Sequence, residues 1–439
     1  MKRFAAALFF VVALAAAAPA SAVTIERIVS PAGIEAWLVR DQAVPLVTLS
    51  YSFRGGAAQD PVGKAGTGNL AADLVDEGAG DLDGETFHKR LENHAIELSF
   101  QVGRDEFHGS LRTLNEHREE AFDLLRLALT APRFEADAVE RVRRQEIAAL
   151  QRDTSSPNSI ASNRWWQTAF PGHPYGRETK GTLESMPAIT ADDLRDYVRR
   201  VFARNGLTVS IVGDVDEKAA GALIDRAFAK LPAKNDLSPV SNAAPAGLGR
   251  RIVVNLDVPQ AVVVFGGPGL ARNDSDFMAG YIVNHILGGG SFSSRLYKEV
   301  REKRGLAYGV SDSLVWFKNA AVVLGGTATR ADRTGDALGI IEAETRRMAA
   351  DGPTADELAA AKSYLKGAYA LSLDTSSKIA AQLTQIQLDN LGIDYMQRRS
   401  AMIDAVTLDD AKRVAKRLFG GGMLVTVVGR PKGLVSSGE

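Results

Sequence analysis

The chain is 439 residues long, 45% hydrophobic and 24% charged, the composition of a folded globular protein and too apolar for a disordered one. Its 52 Lys and Arg balance 53 Asp and Glu, so no global positive field invites nucleic acid and no charged tail marks an acidic or basic partner. Cysteine is absent, which excludes disulfides, thiolate zinc sites, cysteine-held iron–sulfur clusters and a thiol nucleophile. A chain of this length is expected to hold at least two domains.

Residues 1–22 read as a signal peptide. Lys2 and Arg3 precede an apolar run that reaches Ala18, and Ala20-Ser21-Ala22 forms an A-x-A cleavage signal. The other reading is an uncleaved anchor, for which the run is short. No later segment reaches the roughly 18 uninterrupted apolar residues of a span, so an exported, periplasmic protein without a membrane span is expected.

Strand-like residues follow at 35–53 and end at Arg54-Gly55-Gly56. A helical pattern covers 134–152 and leads into Asp153-Thr154-Ser155-Ser156. Residues 188–202 read AITADDLRDYVRRVF, with Thr190 placed to cap a helix and an Asp pair in its first turn, where the helix dipole favours negative charge. An apolar strand follows at 205–213. Residues 231–249 are rich in Pro, Gly, Ala, Ser and Asn, have no apolar period, and read as an extended linker.

Beyond the linker the pattern begins again. Strand-like residues cover 251–266, and a helical pattern at 354–373 leads into Asp374-Thr375-Ser376-Ser377. Residues 405–419, AVTLDDAKRVAKRLF, echo the earlier capped helix with Thr407 at the cap, and 421–429 echo its strand. Two echoes in nearly one register indicate an internal duplication. The expected organisation is a signal peptide at 1–22, a first domain at 23–230, a linker at 231–249, a second domain at 250–434 and a tail at 435–439. Each domain is expected to be α+β, a mostly antiparallel or mixed sheet with helices packed on one face.

The six histidines offer little as ligands. His88 and His94 lie too far apart to share a helix face, and His108 and His117 flank a strand end. Asp73, Asp76 and Glu77 read as solvated helix-end charges rather than a metal site. His285, in an apolar stretch, reads as a packing histidine. From spacing alone, Arg301 is one more charge on a charged helix and Tyr308 an edge residue of a sheet. Gly288, Gly289 and Gly290 fit either a helix-ending turn or the close approach of a peptide backbone.

The run from Gly288-Gly289-Gly290-Ser291-Phe292-Ser293-Ser294-Arg295-Leu296 to Val300-Arg301-Glu302-Lys303-Arg304-Gly305-Leu306-Ala307-Tyr308 resembles the pitrilysin/insulinase family of zinc metallopeptidases, the inverzincins. Members carry S-x-L…R-E-x-x-G-L-x-Y at this place. The resemblance covers nearly all of the chain after the leader, including Arg54-Gly55-Gly56, His173-Pro174-Tyr175-Gly176 and Gly213-Asp214. It departs at one point. The family's H-x-x-E-H helix, two His for zinc and a Glu as general base, should follow Gly66-Thr67-Gly68. This chain reads Asn69-Leu70-Ala71-Ala72-Asp73 there. Asn69 and Asp73 occupy the ligand positions, Ala72 occupies the base position, and the third ligand position falls at about Glu146. Alanine has no group to take a proton, so the resemblance implies no metal and no cofactor in this chain.

By the same resemblance Arg301 and Tyr308 are substrate and transition-state groups. A phenol O–H can donate to the oxyanion that forms in peptide hydrolysis, and a guanidinium can hold a substrate carbonyl. The loop Gly288-Gly289-Gly290-Ser291 is the expected substrate-binding segment. Residues 91–98 resemble a degenerate first copy of this element, without the Arg and the Tyr. The family closes two such halves as a clamshell, one with zinc and one with the Arg/Tyr pair. The resemblance therefore implies the zinc-less subunit of an exported heterodimeric metalloendopeptidase, inactive alone. Its partner would be a homologous H-x-x-E-H chain carrying zinc, and its substrate an unfolded peptide held extended. The alternative is a non-catalytic peptide-binding or assembly subunit, possibly a homodimer.

Overall fold

The structure, a computed structural model, describes residues 24–437. The expected signal peptide and the end of the tail lie outside the described residues. Among them, no helix is long and apolar enough to cross a membrane.

The first half runs β1 (Glu26–Val29), β2 (Glu35–Arg40), β3 (Leu46–Arg54), α1 (Thr67–Ala72), the short ribbon β4 (Gly78–Ala79) and β5 (Leu82–Asp83), then α2 (Gly84–Asn93), β6 (Glu97–Val102) and β7 (Glu106–Leu114). It continues with α3 (Arg118–Thr130), α4 (Ala136–Asp153), α5 (Pro157–Ala169), α6 (Ala191–Val201), β8 (Leu207–Gly213) and α7 (Glu217–Phe228). The second half contains β9 (Arg251–Asn255), β10 (Gln260–Pro268), α8 (Phe277–Asn284), β11 (Ala307–Trp316) and β12 (Ala321–Arg330). It ends with α9 (Thr334–Asp351), α10 (Ala355–Leu371), α11 (Ser376–Leu388), α12 (Tyr395–Ala405), α13 (Leu408–Phe419) and β13 (Leu424–Gly429).

The duplication is explicit in the sheets. The first has the order β1-β2-β8-β3-β7-β6, and the second, read from its other edge, is β9-β13-β10-β12-β11. Leaving out β1, the two orders superpose strand for strand. In each, the strand pair at one side is parallel (β2 with β8, β9 with β13) and the remaining pairs are antiparallel. The apolar run at 35–53 is cut into two strands, as is 251–266, where Pro259 cannot donate to a ladder. Thr190 and Thr407 each form a full capping box, accepting from the third helical amide while Asp193 or Asp410 accepts from the threonine amide.

Strand alternation sorts the side chains onto two faces. On β3, Val47, Leu49, Tyr51 and Phe53 join the core under the first half's own helices. On β10, Ala261, Val263 and Phe265 do the same in the second half. The opposite faces are covered too, by a helix from the other half. α5 lies on β10 and β13, where fully buried Trp165 donates from Nε1 to the Leu424 carbonyl at 3.1 Å. α11 lies on β3 and β8, where Thr384 Oγ1 donates to Ser210 Oγ at 3.0 Å and Gln387 Nε2 to the Val209 carbonyl at 3.1 Å. The residues at 231–249 form neither helix nor strand and are pinned to both halves: Ser238 exchanges two hydrogen bonds with Gln59, and the Ala243 amide donates to the Asn319 carbonyl.

Candidate functional site

The glycine-rich run is built from two widened turns. α8 continues into a π turn at His285–Gly289, and a second π turn, Lys298–Glu302, follows the short capped turn Arg295–Tyr297. Such single π turns recur at functional sites because each re-aims the side chains after it. Arg295 is buried and bidentate to Glu357 at 2.6 and 2.7 Å, which fastens this turn to the start of α10. Burial opposes ionisation of Glu357, yet Arg295 and the Thr354 cap hold its carboxyl down to about 2. Gly305, at a φ of +59°, then turns the chain into β11.

β11 is an edge strand, and its register with β12 slips between Ala307 and Val310. A bulge at a sheet edge twists the strand and re-aims its side chains. Two threonines on β12 steady it: Thr327 donates to the Gly309 carbonyl and Thr329 to the Leu306 carbonyl. Tyr308 stands out of this bulge with 87% of its surface exposed. The Arg301 guanidinium lies 4.7 Å from the Tyr308 ring centre and 5.0 Å from that of Tyr297. It makes no hydrogen bond or ion pair to any described residue. Of the helix charges around it, Glu299 is paired with both Lys303 and Arg304.

The glycines do not all face outward. A Cβ on Gly288 would lie 2.5 Å from Asp312 Oδ1 and 2.9 Å from the Asp312 amide nitrogen, and one on Gly290 would lie 2.7 Å from the His285 carbonyl. Both are buried and serve packing, whereas Gly289 and Ser291 reach the surface. Close approach of a peptide backbone is therefore open to Gly289 and Ser291. Ser291 has a φ of +46°, a conformation that non-glycine residues rarely adopt. Beneath the loop, Asp312 accepts from Asn284 Nδ2 at 2.8 Å, and its second carboxylate oxygen is buried without a partner. Burial pushes this carboxyl up to about 8, against the Asn284 hydrogen bond. Sequence reading did not single out Asp312, Asn284, Tyr297 or Phe292, which is 70% exposed beside Tyr297. A signal was available in Tyr297, four residues before Arg301 and hence on its helix face.

His285 is buried and its ring stacks on Tyr364 at 5.0 Å. That contact fits a packing role, and burial lowers its pKa. The pairing that sequence reading did not foresee is His94 with His117, whose rings stand 4.5 Å apart.

The degenerate motif lies on α1. Asp60 accepts from the Gly66 and Gly68 amides at 2.7 and 2.8 Å and fixes the start of that helix. Asn69 Nδ2 donates to Asp73 Oδ2 at 3.1 Å. Asp73 lies close enough to Glu146 on α4 that the second carboxylate raises the pKa of the first, after the larger effect of desolvation, although Asp73 still meets water. Three of the four motif positions therefore converge. The fourth, Ala72, is packed in the core. The donor set is one amide and two carboxylates with no imidazole, and among the described residues no group of three His, Asp or Glu is placed to hold a metal ion. These residues do not fit a family-type zinc site.

The geometry defines a class: a duplicated α+β chain with an open Arg/Tyr pair on one half and alanine packed at the base position of α1 on the other. Comparison with known proteins supports it. Residues 37–183 match the family model described as insulinase, peptidase family M16, and residues 188–365 match that described as the peptidase M16 inactive domain. An uncharacterized zinc protease of Streptomyces coelicolor is 30% identical over 72% of this chain and 70% of its own length. A protein of Helicobacter pylori described as a non-peptidase homolog is 28% identical over 82% of each chain. The crystal structure of a peptidase M16 inactive domain from Pseudomonas fluorescens superposes with a TM-score of 0.87 at 25% identity, covering 93% of this chain and 98% of that one. The chain belongs to peptidase family M16, the insulinase family.

Proposed function

We propose that this chain is the zinc-less subunit of an exported heterodimeric metalloendopeptidase, paired with a homologous chain that carries H-x-x-E-H and its zinc. The observation that carries this reading is the unpaired Arg301 guanidinium, held over two tyrosine rings beside the exposed Tyr308 hydroxyl. A cation without a counter-ion, fixed by aromatic faces, is preset for a ligand from outside. Arg301 would hold a carbonyl of an extended peptide, and Tyr308 would donate to the oxygen on which charge develops. Gly289 and Ser291 would meet the peptide backbone.

In the reconstituted pair, Arg301→Ala and Tyr308→Phe should each lower the peptidase rate by about 10²–10³ while size-exclusion shows the complex intact. Unchanged rates in both variants would refute the assigned roles. Zinc-dependent cleavage by the purified chain alone would refute the division of labour. The description of the Helicobacter pylori relative favours a second reading, a subunit that binds peptide without chemistry. In that case both variants would weaken peptide binding and no partner would make the pair hydrolytic. Export is tested separately: Edman sequencing of the protein from a periplasmic fraction should begin at Val23. Recovery of an intact leader in the membrane fraction would overturn that assignment.

A further inference from the structure

A cavity of about 1190 Å³ lies between the two halves, and neither Arg301 nor Tyr308 lines it. Its walls differ in character. On one side Arg272 lies 4.1 Å over the Phe277 ring, donates to the Tyr395 hydroxyl at 2.8 Å and stands 3.7 Å from Asp389. Asp389 in turn accepts from Trp316 Nε1 at 3.0 Å. Arg272 and Asp389 on that wall are therefore partnered.

The facing wall differs. Glu106 and His108 alternate along β7 and so share one face of the sheet, and Lys318 reaches in from the β11–β12 turn. None of these three side chains has a hydrogen bond or ion pair to a described residue. Glu106 feels Lys318 and Arg54 only at a distance, while desolvation first, then Asp105 and Asp389, push its carboxyl up to about 8. Burial also lowers the His108 pKa, leaving a neutral ring that can donate or accept. Between the walls lie Met278, Leu388 and Met402. An acid, a base and an apolar patch facing one space, each unpaired, match a ligand carrying the complementary groups. Glu106 and His108 are half-buried and Lys318 is exposed, so their free hydrogen-bonding capacity is open to such a ligand.

We infer that this cavity binds a zwitterionic α-amino carboxylate with an apolar side chain, a free amino acid or a dipeptide. Glu106 takes the ammonium group, Lys318 the carboxylate, and the methionine and leucine side chains the apolar group. The site is independent of the Arg301 and Tyr308 reading. It is tested by isothermal titration of the full chain with leucine, with Leu-Leu, and with uncharged N-acetyl-leucinamide. Saturable one-to-one binding of leucine or Leu-Leu is expected, and whichever binds more tightly identifies the size of the ligand. Glu106→Gln and Lys318→Ala should each weaken it about tenfold or more, and Leu388→Trp, which fills the space, should abolish it. Lys318 is exposed, so its replacement leaves the fold out of the question. No saturable binding of either zwitterion in the millimolar range overturns the proposal. So does equal binding of the uncharged control, or binding that survives both Lys318→Ala and Glu106→Gln undiminished.

Discussion

Arg301 keeps its guanidinium over two phenol rings although Glu299 stands two residues before it, because Lys303 and Arg304 already occupy that carboxylate. The neighbouring charge that matters more to the loop is buried. Asp312 meets Gly288 closely enough that any side chain there would press on the Asp312 backbone as well as its carboxylate, at a cost of about 1–3 kcal/mol. Burial raises its carboxyl to about 8 in the fold, against about 3.9 in the unfolded chain, so Asp312 binds its proton more tightly in the native state. Its contribution to stability is therefore complete below the unfolded value and is lost progressively as pH rises toward 8. Asp312→Asn should remove that loss. Urea midpoints of variant and parent should diverge in the variant's favour as pH rises through this window and run parallel above it. Parallel curves throughout would show that Asp312 ionises freely. Some of this site was legible in the chain itself: Ala72 excludes a base at its position by identity alone. The Arg301–Tyr308 contact was not, because it depends on a π turn and an edge bulge between the two residues, and neither leaves a period in the sequence.

The two capped helices show where local sequence does determine an element. Thr190 with Asp193, and Thr407 with Asp410, place the hydroxyl and the carboxylate on the orphan amides of the first turn, and basic residues occupy the last turn of each helix. Thr190→Ala and Thr407→Ala should each lower unfolding free energy by about 1 kcal/mol. The sites lie in different halves, so the double variant should lose about the sum. Denaturant titration measures both, and a loss well below additivity would mean that the caps are coupled. The sheet faces show the reverse case. Thr48, Ser50 and Ser52 alternate with the core residues of β3, and such a pattern reads as a strand with one wet face. In the fold that face is covered, and the Ser50 hydroxyl lies 3.0 Å from that of Thr384, which is 334 residues away in the chain. Thr384 and Gln387 also meet the Ser210 hydroxyl of β8, while the buried Thr48 and Ser52 hydroxyls keep no partner among the described residues. Nothing local to β3 announces that helix, because the complementarity exists only after both halves have folded.

Exchange of α5 and α11 makes the duplicated halves one molecule rather than two linked domains. Trp37, Val39 and Val212 of the first sheet pack against Ile379, Leu383 and Ile386 of α11, while Val322 and Leu424 of the second sheet pack with Trp165, Trp166 and Ala169 of α5. A half separated from its partner would expose one of these faces, a patch large enough to drive association. The energetic consequence can be measured. Trp165 is fully buried, donates to the Leu424 carbonyl, and stands where a Cβ on Gly266 would come within 2.8 Å of its ring. Trp165→Ala removes that filling side chain and leaves the Leu424 carbonyl without its donor, at a cost of about 3–5 kcal/mol. If the halves are coupled through the exchanged helices, the cost falls on both. Calorimetry of the parent should show a single transition, and the variant should shift that whole transition to lower temperature. A variant trace split into one unmoved and one lowered transition would mean that each half carries its own stability and that the exchanged helices are only docked.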